Sequence, residues 1–304
     1  MSPTRRLRLV SGLVLFAYVT THFLNTALGL VSLDAMEAGR YWFVGFWRTS
    51  IGTVLLYGSL LTHIALAFWA LYERRTLRMP LWEAAQLALG LCIPPLLMGH
   101  VFGTRISWEL LGVEDRYSRL TLLLWATTPE LGRKQILTLL VAWTHAMIGL
   151  HANVKLRPWY PRAAPWLLAF VLLVPVLAVL GFVSGGREAA ALARDPAVRA
   201  ELLWHGRAPL TAADTARLGK IRHITLTTYS TLLGAVLVAR AVRGAVERRR
   251  GRIRVVYPTN RRVSVPVGLS VLEVSRLAGI QHASVCGGRG RCSTCRVRIR
   301  SARP

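Results

Sequence analysis

Over most of this chain the hydrophobic positions neither alternate nor recur on one face; they run on unbroken. Six stretches of about 20 residues, the length a helix needs to cross a bilayer, are apolar nearly all round: Leu9–Val31, Ser50–Tyr72, Trp82–Thr104, Gln135–Val154, Ala163–Val183 and Ile221–Ala241. They predict an all-α membrane bundle of six transmembrane helices within residues 1–245. The segment from about Ser184 to Lys220 reads as a long polar loop with a short helix. After a basic stretch at 246–252 the period changes. Ile253–Tyr257 and Arg262–Val267 alternate like two strands around the turn Pro258-Thr259-Asn260. Ser270 caps a helical pattern that ends at Gly279, and Arg296–Arg300 alternates again.

Composition agrees with a membrane protein: 53% of the 304 residues are hydrophobic. The first apolar run lacks a small-residue cleavage site and reads as a retained helix rather than a signal peptide. The net charge of +25 does not point to nucleic acid, because most basic residues flank the apolar runs and the basic tail carries Tyr257 alone among aromatics. Charge sets orientation instead. Arg5, Arg6 and Arg8, the cluster at Arg74, Arg75 and Arg78, that at Lys155, Arg157 and Arg162, and that at Arg248 to Arg252 all fall on one side of the spans. Ten of the fourteen acids, among them Asp34, Glu109, Asp115 and Glu188, fall on the other. The expectation is a multi-pass protein of a bacterial inner membrane with both the N-terminus and the C-terminal region cytoplasmic. The basic linker would meet anionic lipid.

An ionisable side chain in hydrocarbon is costly and suggests a function. His22, His63, His100 and His145 lie one on each of the first four spans. Helix–helix hydrogen bonding could occupy one such histidine, but four in succession suit bis-histidine coordination of haem b, with imidazoles from facing helices above and below the macrocycle. Depth pairs His22 with His100 near the outer face, and His63 with His145 towards the inner one. Two haems are therefore expected. His151 follows His145 by six residues and is turned roughly 120° from it; it reads as a contact to a haem propionate or a quinone and stays the rival inner ligand. Arg105, five residues past His100, reads as a second propionate contact or as a snorkelling arginine. Pro94-Pro95 predicts a kink in the third span. Cys92 reads as a small buried apolar residue there.

Cys286, Cys292 and Cys295 form Cys-x5-Cys-x2-Cys in a glycine-rich loop. A zinc site usually has two close ligand pairs and does not need such glycine density. Backbone amides that must approach anionic sulfur do need it. The spacing resembles the loop with which ferredoxins hold three of four thiolates of a 2Fe-2S cluster. Residues 253–304 thus resemble the N-terminal half of an α+β β-grasp (2Fe-2S ferredoxin-like) domain. The fourth thiolate of that family lies some tens of residues further on, and this chain ends nine residues after Cys295, so an incomplete, truncated domain is expected.

His145-Ala-Met-Ile-Gly-Leu-His151 is similar to the His-x3-Gly pattern in membrane anchors of succinate dehydrogenase and fumarate reductase, where the first histidine ligates haem. More broadly, Thr-His22-Phe-Leu-Asn, Thr-His63, Gly-His100-Val-Phe-Gly-Thr-Arg and the cysteine loop resemble the N-terminal part of bacterial membrane-anchored class III adenylate cyclases. That resemblance covers essentially the whole chain. It implies a dihaem cytochrome b anchor, a ferredoxin-like domain and then a cytoplasmic cyclase domain, which this chain lacks. The implied function is redox sensing, in which electron transfer through haem b and the 2Fe-2S cluster is coupled to signal transduction and cyclic AMP synthesis. The alternative is a quinone-linked electron-transfer anchor subunit of an oxidoreductase. A third reading is a membrane tether whose histidines only pack. No catalytic residue is assigned. Membrane lipid, quinone or quinol, a cyclase domain and a second copy of the chain are the candidate partners.

Overall fold

The computed structural model describes residues 2–204, 206, 209–249, 251–288 and 292–300. Six helices are long and apolar enough to span a membrane, as expected: Pro3–Leu30, Ser50–Glu73, Leu81–Leu111, Pro129–Val154, Tyr160–Leu192 and Ala212–Arg249. Each extends past the apolar run that predicted it, because polar end residues continue the helical hydrogen bonding beyond hydrocarbon depth. In chain order the elements are α1 (Pro3–Ala27), α2 (Leu33–Phe43), α3 (Gly45–Arg48), α4 (Ser50–Glu73), α5 (Leu81–Val101), α6 (Ser107–Leu111), α7 (Tyr117–Leu122), α8 (Pro129–Val154), α9 (Tyr160–Leu192), α10 (Pro196–Leu203), α11 (Ala212–Arg249), β1 (Arg252–Val256), β2 (Arg262–Pro266) and α12 (Val271–Leu277). They form two compact units, one of residues 10–62 and 82–230, the other of residues 1–9, 63–81 and 231–304.

In the first unit, Phe23 of α1, Trp143 and Met147 of α8, and Val174 and Ala178 of α9 make a buried apolar cluster. Close approach of α1 to α9 rests on small residues. A Cβ at Gly181 would lie 2.8 Å from Ala27 Cα and press on the Thr26 carbonyl, and one at Gly186 would lie 2.7 Å from the Trp125 ring. Outward faces keep large apolar side chains such as Leu61, Trp166 and Leu168 exposed, as lipid-facing positions require. Cys92 is also exposed rather than buried, because it falls on the outer side of α5. The tandem Pro94-Pro95 is carried within α5; the interruption comes later, as a π-helical turn at Phe102–Ile106 between α5 and α6. The expected loop from Ser184 to Lys220 is shorter in the structure. α9 continues to Leu192 with Gly185, Gly186 and Ala189 buried, and α11 starts at Ala212. Asp195 caps the intervening α10, its side chain accepting from Ala197 N–H.

The second unit carries the region that follows the sixth candidate span. β1 and β2 pair antiparallel with Arg252 opposite Pro266 and Val256 opposite Arg262. Their connection is closed by Tyr257 N–H to the Arg261 carbonyl, with Asn260 at φ 58°, a left-handed turn position that asparagine tolerates. Ser270 and Glu273 form a capping box on α12. The third expected strand, Arg296–Arg300, is not formed. Those residues are exposed and irregular, since alternation becomes a strand only where a partner satisfies its backbone, and the sheet consists of β1 and β2 alone among the described residues.

Candidate metal and redox centres

His22 on α1 and His100 on α5 face each other with ring centroids 5.8 Å apart and planes at 51°. Two imidazoles bonded to one metal ion at about 2.0–2.1 Å put their centroids about 6.3 Å apart, so the separation of this pair is within about half an ångström of that value. Tyr18, one turn before His22, lies parallel to its ring at an interplanar angle of 2°. On the other side His22 Nδ1 is 3.2 Å from the Tyr117 hydroxyl. Beyond the pair is a cavity of about 100 Å³ lined also by Arg40, Trp47, Arg48, Tyr57, Arg105 and Asp115. That volume is smaller than a macrocycle.

The polar rim is built from segments between the spans. Asp115, almost fully buried, is paired with Arg48 and lies 3.7 Å from Arg40. Arg40 also meets Glu37 at 3.1 Å. Arg105 lines the same cavity, but its guanidinium donates to Thr53 Oγ1 at 3.1 Å and pairs with Glu109 at 2.7 Å. Three guanidiniums line this dihistidine pocket, each paired with a carboxylate of the chain. Asp115, Arg48, Arg40 and Tyr117 were not singled out by pattern. For Asp115 and Tyr117 the one sequence signal is a polar run, Glu114-Asp115-Arg116-Tyr117, held close to the apolar spans.

His145 on α8 is half-buried, with Nδ1 2.9 Å from the Gln86 carbonyl on α5. Its ring lies against Gly90, where a Cβ would come within 2.7 Å of Cε1. Gln86 and Gly90 share a face of α5 one turn apart, a spacing legible in the sequence once its partner is known. His63, in the other unit, has Nδ1 3.2 Å from the Arg8 carbonyl. In both, the carbonyl can only accept, so Nδ1 carries the proton and Nε2 is the unprotonated nitrogen, the tautomer found in most metal-ligating histidines. His151 is exposed, with Nδ1 2.8 Å from the Tyr160 hydroxyl.

In the C-terminal region Cys286 is buried while Cys292 and Cys295 are partly exposed, and no disulfide involves any of the four cysteines. Cys286 N–H donates to Cys292 Sγ at 3.4 Å, and the Thr294 hydroxyl lies 3.0 Å from the same sulfur. Gly287 and Gly288 adopt φ of 68° and 81°, which lets the loop curl its amides toward sulfur. A polar chain anchors this loop. The Tyr257 hydroxyl meets Ser275 Oγ at 2.8 Å, Ser275 meets His282 Nδ1 at 2.9 Å, and His282 Nε2 meets the Cys295 carbonyl at 3.2 Å. Arg289, Gly290 and Arg291, inside the cysteine motif, lie outside the described residues. Among those described, no three His, Cys, Asp or Glu side chains converge at metal-holding distance.

The family model of the 2Fe-2S iron-sulfur cluster binding domain matches residues 255–304. No curated protein and no solved structure matches the chain. Six apolar helices joined to a 2Fe-2S ferredoxin-like region define a multi-pass membrane protein of the electron-transfer type.

Proposed function

We propose that this chain is a redox-sensing membrane module that binds haem b and a 2Fe-2S cluster and couples their state to a cytoplasmic output. The observation that carries the haem assignment is the His22–His100 pair, with centroids 5.8 Å apart on facing helices. His22 with His100 would hold one haem near the outer face; the depth of His63 and His145 along their spans in the sequence supports a second towards the inner face. Arg40, Arg48 and Arg105 would offset the propionate charges at the outer centre. Bound haem supplies one-electron iron chemistry. His22, His63 and His145 would orient it through their Nδ1 contacts, and the surrounding apolar helices would exclude water. Cys286, Cys292 and Cys295 would supply three of the cluster's four thiolates.

The lysine and arginine clusters support a bacterial inner-membrane location with the cysteine region cytoplasmic. The likeness of the four histidine motifs and the cysteine loop to membrane-anchored class III adenylate cyclases supports cyclic AMP synthesis as the output, performed by a cyclase domain acting with this module. A second reading, an electron-transfer anchor of a quinone-linked oxidoreductase, is favoured by the exposed His151–Tyr160 pair, which offers a quinone head group two hydrogen-bonding partners.

The test is a reduced-minus-oxidised spectrum of the purified protein, repeated on four variants. His22→Ala and His100→Ala should each remove one b-type centre, and His63→Ala and His145→Ala the other. Wild-type protein with no b-type signal refutes both readings. Haem oxidation by a quinone at catalytic rates selects the second, whereas cyclic AMP output that follows haem redox state in the cyclase-linked protein selects the first.

A further inference from the structure

We infer that the cavity between the π-helical turn after α7 and the end of α9 binds the phosphate group of an anionic membrane lipid through Arg194 and Arg199. It shares no lining residue with the histidine cavity and does not depend on haem or cluster being bound. Its volume is about 330 Å³, within the range of about 300–1,000 Å³ typical of ligand clefts. Leu122, Ala126, Ala190 and Ala193 line it together with the two arginines. Ala126 belongs to the π-helical turn Leu123–Thr127, a rare geometry that recurs at functional sites.

Charge determines the class of ligand. The side chains of Arg194 and Arg199 are exposed and make no ion pair or hydrogen bond among the described residues. No carboxylate lines the cavity among those residues. Asp195, next to Arg194 in the chain, is engaged as the cap of α10, its side chain accepting from Ala197 N–H. In the histidine cavity, by contrast, Arg40, Arg48 and Arg105 each pair with a carboxylate. Two guanidiniums without carboxylates offer N–H forks that match phosphate oxygens.

Position ties that phosphate to a lipid. α8 and α9 are consecutive candidate spans joined by residues 155–159. The start of α8 at Pro129 and the end of α9 at Leu192 therefore fall at the same end of the two helices, where a bilayer has its head groups. Leu131 and Leu192 are about half exposed there and give acyl chains an apolar surface. The four basic clusters that set orientation flank the opposite ends of the spans, so orientation does not account for these two arginines.

Native mass spectrometry of the full chain, delipidated in neutral detergent and titrated with phosphatidylglycerol, tests the site. Wild type should fill one lipid site well before any other. Arg194→Ala with Arg199→Ala should weaken that first site about tenfold or more, the worth of one charge-assisted hydrogen bond. Ala190→Leu, which narrows the cavity and keeps both cations, should weaken it as well. Arg157→Ala with Arg162→Ala, at the other end of the same helices, should leave it unchanged. Equal titration in wild type and the Arg194 and Arg199 variant overturns the inference. So does an equal loss in the Arg157 and Arg162 variant, the mark of a general attraction between basic residues and anionic lipid. Full affinity in Ala190→Leu would place the lipid outside the cavity and overturn it too. Displacement of the lipid by an equal concentration of inorganic phosphate would make this a free-phosphate site and overturn the lipid assignment.

Discussion

Gly90→Ala adds one methyl group at the point where α5 crosses His145. On the present backbone that Cβ would lie 2.7 Å from His145 Cε1, 3.0 Å from Nδ1 and 3.6 Å from Nε2. To reach ordinary contact at 3.4 Å the ring must retreat by about 0.7 Å. The Nδ1 contact with the Gln86 carbonyl, 2.9 Å in the structure, would then stretch to about 3.6 Å, too long for a hydrogen bond. Overpacking of this kind costs about 1–3 kcal/mol, and the lost bond about 1 kcal/mol more. The better helix propensity of alanine offsets at most about 1 kcal/mol. The thermal midpoint should therefore fall, and haem affinity of the proposed centre at His145 should drop about 10- to 100-fold, as losses of such supporting hydrogen bonds do. Spectral titration of apoprotein with haem measures the second effect. Gly99→Ala is the matched control on the same helix, because nothing lies within 4 Å of its added Cβ. Equal affinity and equal thermal midpoint in Gly90→Ala and Gly99→Ala would refute the reasoning.

Gly181→Ala should destabilise the first unit by about 1–3 kcal/mol, since its Cβ meets backbone at Thr26 and Ala27 rather than a flexible side chain. A thermal melt equal to that of Gly219→Ala, a position with open space, would count against that packing. Arg48→Ala removes one partner of nearly buried Asp115 and should cost about 3 kcal/mol; adding Asp115→Asn should recover much of the loss, and no recovery would mean the charge was already solvated. Ser270→Ala removes the capping box of α12 and should weaken that helix by about 1 kcal/mol. Faster amide exchange over residues 271–277 reads this out, and unchanged exchange would contradict it.

Six spans, the hairpin and the cap of α12 were legible because each depends on local order: continuous apolar length, period-two alternation around a turn, and serine three residues before glutamate. The span ends were less so, because helical hydrogen bonding continues through Glu73 and Leu192 after hydropathy has stopped marking them. Arg296–Arg300 has the alternation of a strand without a neighbour to pair with. Cys92 is apolar enough for either side of α5, and hydropathy cannot distinguish a helix face turned to lipid from one turned to protein.

The candidate site divides in the same way. Four histidines on four spans and three cysteines in a glycine loop stand out in the sequence because each is chemically out of place, an ionisable group in an apolar run or thiols among glycines. Length, hydropathy and charge by themselves determined a six-span membrane protein with a small α+β region after it. Tertiary structure alone decided that His22 and His100 share one gap, that Gly90 is where His145 rests, and that Tyr117, Arg48 and Asp115 close around the first pair. Those contacts join residues up to 95 positions apart, and their spacing is set by how closely glycine-bearing helices approach, a distance that no local pattern of side chains encodes.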